Sequence, residues 1–172
     1  MAHDENSAGE GSERQAPAGV SEATPEISRA VADAAARGLA VAFVAREGSG
    51  PPADGRVGDA LIAKTVVVQR RDEFVFVITP LAAQFSWPKL RALLGVNRLS
   101  LPDSAAAFAA TGYERGTISP LGASVAWPVF LDAQLSGQRI ALGSGSHGYA
   151  AIVDAGAFAR AYGATVADLS AE

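Results

Sequence analysis

The chain has no cysteine among its 172 residues, which excludes disulfides, thiolate zinc sites and a cysteine nucleophile. Histidine is nearly as scarce, with His3 in a polar segment and His147 far from it. Two imidazoles that distant leave little for a metal centre, so neither a metal nor another cofactor is expected. No apolar run reaches the roughly 18 residues of a membrane span. The N-terminus also lacks the basic-then-apolar pattern of a signal peptide, and the expectation is a soluble cytoplasmic protein with no membrane partner. A net charge of −4 argues against DNA or any extended nucleic-acid contact, because neutralising many phosphates requires a basic face. The G-x-S-x-G elbow, H-E-x-x-H and the phosphate-loop signature G-x-x-x-x-G-K-[ST] are all missing.

What is present suits one domain. With 49% hydrophobic and 19% charged residues, a chain of this length buries one core but hardly two. Residues 1–24 are rich in Ala, Gly, Ser, Glu and Pro without apolar periodicity and read as a disordered leader, which assigns the domain to 25–172. Ile27, Val31 and Ala34 share one face of a helix at 28–37 that Gly38 ends, and a strand follows at 39–46. Residues 47–59 hold too many glycines and prolines for a regular element. Nearly continuous Val, Ile and Phe at 61–69 and 73–79, around the polar turn Arg70-Arg71-Asp72, predict a hairpin central in a covered sheet. Ser86 caps a helix that opens with Trp87-Pro88, runs to Leu94 and is closed by Gly95. Asp103 caps a short alanine-rich helix to Ala110. Strands are expected at 124–130, 139–142, 149–153 and 165–167, with a helix at 154–162. This interleaving predicts an α/β domain on a mixed sheet.

Chemistry concentrates in two segments. Thr111-Gly-Tyr-Glu-Arg-Gly-Thr-Ile-Ser-Pro-Leu-Gly122 holds three glycines and a proline within twelve residues. Glycine permits close approach and positive φ, and proline fixes its own φ, so the loop is shaped to present main-chain N–H groups to a ligand, although such compositions also make plain connections. In the second segment Lys64 interrupts the apolar strand Ala60-Leu-Ile-Ala-Lys-Thr-Val-Val-Val-Gln69. An ammonium there either meets an anion or snorkels to water.

Together, the Ile62-Ala-Lys-Thr65 strand, a second apolar strand, a helix ending Leu-Leu-Gly and the Thr111–Gly122 loop resemble the YbaK/ProX-type aminoacyl-tRNA deacylases, free-standing relatives of the editing domain of bacterial prolyl-tRNA synthetases. The resemblance covers about residues 25 to 170. It implies a YbaK-like fold, a curved mixed β-sheet with surrounding helices. It also implies trans-editing: hydrolysis of the ester of a mischarged aminoacyl-tRNA, most often tRNA for proline carrying a small amino acid such as Ala or Cys. The partner would be the tRNA acceptor end, with prolyl-tRNA synthetase as a further candidate. Lys64 would anchor a phosphate or ribose oxygen of the terminal adenosine and Gly116 would hold the carbonyl and water. Thr65, Gly112, Arg115, Thr117, Ile118, Ser119, Pro120, Gly145 and His147 would line the substrate, and no protein nucleophile would act. The chain departs from the family at 47–59, where relatives place a short helix. A non-catalytic tRNA-end or synthetase-binding module is the alternative.

Three weaker signals complete the reading. Gly143-Ser-Gly-Ser-His-Gly148 fits the dinucleotide fingerprint G-x-G-x-x-G, but the required helix is replaced by a predicted strand, so a hairpin connection is expected. A nucleophilic triad would need Ser119, His147 and Asp132 to converge, which nothing in the sequence requires. Trp87 and Trp127 are core or rim aromatics, either of which could stack on a terminal base. Arg70, Arg71 and Arg98 belong to a solvated face, and Arg115, inside the loop, is the candidate phosphate contact.

Overall fold

A computed structural model describes residues 25–46, 52 and 54–171; residues 1–24, where a leader is expected, and most of 47–53 lie outside the described residues. The elements are α1 (Pro25–Ala36), β1 (Ala42–Ala45), β2 (Arg56–Val57), β3 (Ala60–Arg70), β4 (Glu73–Pro80), α2 (Trp87–Leu94), α3 (Ser104–Thr111), β5 (Val129–Asp132), a 3-10 turn (Ala133–Leu135), β6 (Arg139–Gly143), β7 (Tyr149–Asp154), α4 (Ala155–Tyr162) and β8 (Thr165–Ala167). Eight strands form one mixed sheet in the order β1-β7-β6-β3-β4-β5-β8, with β2 paired to β3. This is the mixed α/β sheet that the sequence predicts.

The caps explain where the helices fall. Ser86 Oγ accepts the Lys89 amide, Asp103 the Ala106 amide and Asp154 the Ala157 amide. Each satisfies a donor that the first helical turn leaves open. Gly95, Gly112 and Gly163 close the same three helices in the left-handed conformation.

The β3–β4 hairpin is the middle of the sheet, and β4 shows why. Phe76 and Ile78 join the larger core with Ile27 and Ala30 of α1 and Phe158 of α4, whereas Val75 and Val77 join a second core with Leu90 of α2 and Phe130. Successive side chains thus enter opposite layers, so both faces of the strand are covered.

Three expectations need correction. Residues 56 and 57, inside the segment expected to lack regular structure, form β2, antiparallel to Ala60 and Leu61. The strand expected at 124–130 starts only at Val129, because the Ser124 hydroxyl and the Trp127 indole N–H both donate to Ala110 O and hold that stretch against the end of α3. The strand expected at 39–46 is confined to Ala42–Ala45. Among the described residues no helix is long and apolar enough to cross a membrane.

Candidate functional site

The site arises because β3 changes partner along its length. Leu61 and Ile62 pair in parallel with Ile140 and Ala141 of β6, while from Ala63 to Arg70 the recorded register is the antiparallel one with β4. Lys64 and Thr65 therefore stand just beyond the point where β6 parts from β3. Into this parting comes the loop between α3 and β5. Two clefts flank it, of about 500 Å³ and about 400 Å³, and Lys64, Thr65, Gly116 and Ile118 line both. These four residues form a shared ridge.

The loop is held from three directions. The Gly145 amide donates to Thr117 O at 2.9 Å, tying it to the turn after β6. Tyr113 OH donates to Leu121 O at 2.6 Å, drawing the two arms together. From α1, Arg29 donates to Gly112 O at 3.2 Å and to Gly122 O at 3.3 Å. Asp33 accepts the Gly122 amide at 3.0 Å and the Tyr162 hydroxyl at 2.6 Å. Arg29 also lies 4.5 Å over the Tyr113 ring, a cation–π contact. One face of α1 thus clasps both glycine ends of the loop.

Ionisation equilibria record that clasp. Partial burial pushes the Asp33 carboxyl up, but the hydrogen bonds from Tyr162, the Gly122 amide and Arg37, with the Arg37 charge, outweigh it and leave it below 3.8. Burial, then the hydrogen bond to Asp33 and its charge, hold the Tyr162 phenol far above 10.0. Tyr113 is raised chiefly by burial.

The ridge is different in kind. The Lys64 ammonium has no hydrogen bond or ion pair among the described residues, and the amides of Gly116 and Ile118 have no internal acceptor there. Thr65 Oγ1 is a buried hydroxyl without a partner among them. An ammonium, a hydroxyl and open amides on residues that line the same two clefts are suited to an oxygen-rich, negatively polarised group. Gly116 takes φ +93°, which turns its peptide as few other residues allow.

The sequence-predicted residues fall into two sets. Lys64, Thr65, Gly116 and Ile118 meet at the ridge, and Arg115 lines the second cleft. Gly112, Thr117, Ser119, Pro120 and Gly145 build the loop's frame: Thr117 Oγ1 donates to Glu114 O at 2.7 Å and buried Ser119 Oγ accepts the Leu121 amide at 3.1 Å. His147 is exposed at the rim and paired with Glu114 at 3.2 Å, its Cε1 3.9 Å from where a Cβ on Gly116 would lie. No triad assembles, since buried Asp132 bonds Ser170 and the Gln134 amide. The G-x-G-x-x-G segment is the β6–β7 hairpin connection, as expected. Trp87 lines the second cleft, whereas Trp127 packs edge-on to Phe74 with ring centroids 5.3 Å apart. Sequence reasoning missed Arg29, Asp33 and Tyr162. Spacing carries no signal for them, because the loop they hold is 83 residues or more from Arg29.

The family profile of the aminoacyl-tRNA editing domain matches residues 56–161. The chain belongs to the aminoacyl-tRNA editing domain family. No curated protein matches it. Among solved structures it resembles a scaffold protein used in computational grafting of epitope backbones, with TM-score 0.76 and 21% identity over 87% of this chain and 99% of that one. A candidate trans-editing enzyme for prolyl tRNA synthetase gives TM-score 0.74 and 20% identity over 88% of this chain and 100% of that one. A hypothetical protein gives 0.73 and 21% over 83% and 99%. At these identities the likeness is one of fold.

Proposed function

We propose that the protein hydrolyses the ester between a mischarged amino acid and the 3′-terminal ribose of a tRNA, with tRNA for proline carrying alanine or cysteine as the first substrates to test. The observation that carries this is the ridge, where Lys64, Thr65, Gly116 and Ile118 line both clefts and the Lys64 cation, the Thr65 hydroxyl and the Gly116 and Ile118 amides have no partner among the described residues. Membership in the editing family and the fold shared with a candidate trans-editing enzyme for prolyl tRNA synthetase support the reading.

An aminoacyl ester needs little activation. Water adds to the carbonyl carbon, the carbonyl oxygen becomes an oxyanion, and the bond to the ribose oxygen then breaks as that oxygen takes a proton. Free amino acid and a tRNA with a free terminal hydroxyl result. The Gly116 and Ile118 amides stabilise the oxyanion; one such donor lowers the barrier by about 3 to 4 kcal/mol. Lys64 holds a phosphate or ribose oxygen of the terminal adenosine, and Thr65 donates to the sugar or the carbonyl. Water is the nucleophile, so no serine–histidine pair is required.

A panel of charged tRNAs tests this directly. Purified protein should release amino acid from at least one mischarged tRNA, with no change on adding a chelator. Lys64→Ala should lower kcat/KM by about ten- to a hundredfold, the worth of one charge-assisted hydrogen bond, without lowering the melting temperature. Lys64→Arg should also be impaired, because a planar fork does not replace a compact charge. A folded protein that leaves the whole panel charged would support a tRNA-end binding module instead.

A further inference from the structure

We infer that Ser170 is a positioning residue of the site: its hydroxyl pins the C-terminal segment 168–171, and that segment sets the wall of the second cleft formed by Gln84, Phe85 and Trp87. The inference rests on the aminoacyl-ester reading above and concerns how tightly the substrate is held, not how its ester is broken.

The wall is irregular chain. Residues 81–86 connect β4 to α2 without helix or continuous strand, yet Gln84, Phe85 and Trp87 line the second cleft together with the four ridge residues. Segment 168–171 supplies partners for this connection. Phe85 and Ser170 form an isolated antiparallel bridge, flanked by the Ser86 amide donating to Leu169 O at 2.6 Å and the Ala171 amide donating to Gln84 O at 2.7 Å. Ser86 is also the N-cap of α2, so the same bridge fixes where that helix begins. From the helix, Lys89 Nζ donates to Asp168 and to Ser170 O, each at 2.8 Å.

The segment is in turn anchored to the sheet. Leu169 is fully buried in the second core with Val77, Leu90 and Phe130, and the Ser170 hydroxyl donates to Asp132, the last residue of β5. Both partners are buried, and a buried acceptor is costly to leave without its donor. A rigid path therefore runs from β5 through Asp132 and Ser170 to Phe85, which meets Trp87 edge to face with ring centroids 4.8 Å apart. No residue of 165–171 lines either cleft, so Asp132 and Ser170 reach a ligand only through this wall. The ridge has separate supports. The Gly116 loop hangs from Arg29 and Tyr113, and Lys64 is paired into the β3–β4 ladder, so loosening segment 168–171 frees the wall and leaves the ridge in place.

Two measurements on the full chain test this with Ser170→Ala and with Ser170→Thr, which keeps the hydroxyl. Hydrogen–deuterium exchange needs no substrate: in Ser170→Ala, exchange across 83–88 should quicken by about tenfold while 62–68 and 113–122 keep wild-type rates. Deacylation of charged tRNA should show KM raised about fivefold with kcat within about twofold of wild type, the pattern of lost uniform binding. Ser170→Thr should restore both readouts. Lys89→Met removes the contacts to Asp168 and Ser170 O, leaves the second core whole, and should give the same pattern at smaller size; it serves if Ser170→Ala unfolds. Wild-type exchange at 83–88 in both Ser170→Ala and Lys89→Met would overturn the pinning of the wall. Faster exchange throughout the domain in both variants, or a loosened 83–88 with KM unchanged, would overturn the positioning role while the hydrolytic reading stands. If wild-type protein hydrolyses no charged tRNA while 83–88 loosens as expected, the ester reading falls and the effect on substrate falls with it, whereas the link from Asp132 to the wall stands.

Discussion

The loop frame and the ridge it carries lie side by side and obey opposite rules. In the frame polar groups are answered: Gly112 O and Gly122 O by Arg29, the Gly122 amide by Asp33, Leu121 O by Tyr113, and Thr117 O by the Gly145 amide. At the ridge the Lys64 ammonium, Thr65 Oγ1 and the Gly116 amide go unanswered among the described residues. Burying a polar group without a partner costs about 1 to 3 kcal/mol, so a fold that satisfies one region and not its neighbour stores binding capacity in the second. The frame fixes where those open groups stand, and the ridge uses them.

The largest expected effect comes from breaking the frame. Gly145 takes φ +88°, and a Cβ there would come within 2.4 Å of Tyr113 Cε1, on a ring pinned by Leu121 O and Arg29. Gly145→Ala should combine left-handed strain of about 1 to 2 kcal/mol with overpacking of about 1 to 3 kcal/mol, lowering the melting temperature by roughly 10 °C. Activity should fall with it. Gly116→Ala sharpens the contrast, since a Cβ there has room and only the strain of about 1 to 2 kcal/mol remains. Its activity loss should exceed its stability loss, because the peptide that faces substrate turns. Equal melting-temperature losses in the two variants would erase the distinction between frame and ridge.

A middle effect comes from answering the ridge artificially. Thr65→Val keeps the shape of the side chain and removes the buried hydroxyl that lacks a partner among the described residues. The melting temperature should stay level or rise, since an unsatisfied polar atom is gone. Deacylation kcat/KM should fall roughly three- to tenfold, the worth of one neutral hydrogen bond to substrate. Loss of stability without loss of activity would make Thr65 part of the frame.

The same contrast sets how much was legible in the sequence. Lys64 and Gly116 stand out because each breaks a local pattern, a cation in an apolar strand and a glycine in a tight loop, whereas Thr65 and Ile118 came only with the resemblance to the family. The helix caps Ser86 and Asp103 were equally legible, since each bonds within three residues of itself. The clasp was not, because Arg29 and Asp33 look like ordinary polar positions on the outer face of α1 and acquire their partners only through tertiary packing. Strand β2 was hidden for a related reason, as two residues give no periodicity and its pairing with Ala60 and Leu61 rests on the turn between them. The loop residues Thr117, Ser119 and Pro120 were found by composition, but composition could not separate those that hold the loop from those the loop presents.

The smallest expected effect tests the far end of the frame, where Tyr162 donates to Asp33. Because the folded phenol titrates above the ordinary 10.0, its contribution to stability is fully present below pH 10 and is lost as pH rises beyond it, when the unfolded chain ionises first. Asp33 works in the other direction: with a folded value below 3.8, its contribution is present above that pH and lost as pH falls through it. Tyr162→Phe should therefore cost about 1 to 3 kcal/mol near pH 8 for the lost bond to a carboxylate. The gap to wild type should narrow by up to about 1.4 kcal/mol per unit above pH 10, where only wild type carries this phenol's penalty. Denaturant unfolding at pH 8, 9, 10 and 11 would show the two curves converging, and curves that stay parallel would mean that the Asp33–Tyr162 bond does not hold this proton. Deacylation at pH 8 should remain within about twofold of wild type, since Tyr162 reaches the ridge only through Asp33 and Gly122, and those two keep their own hydrogen bond.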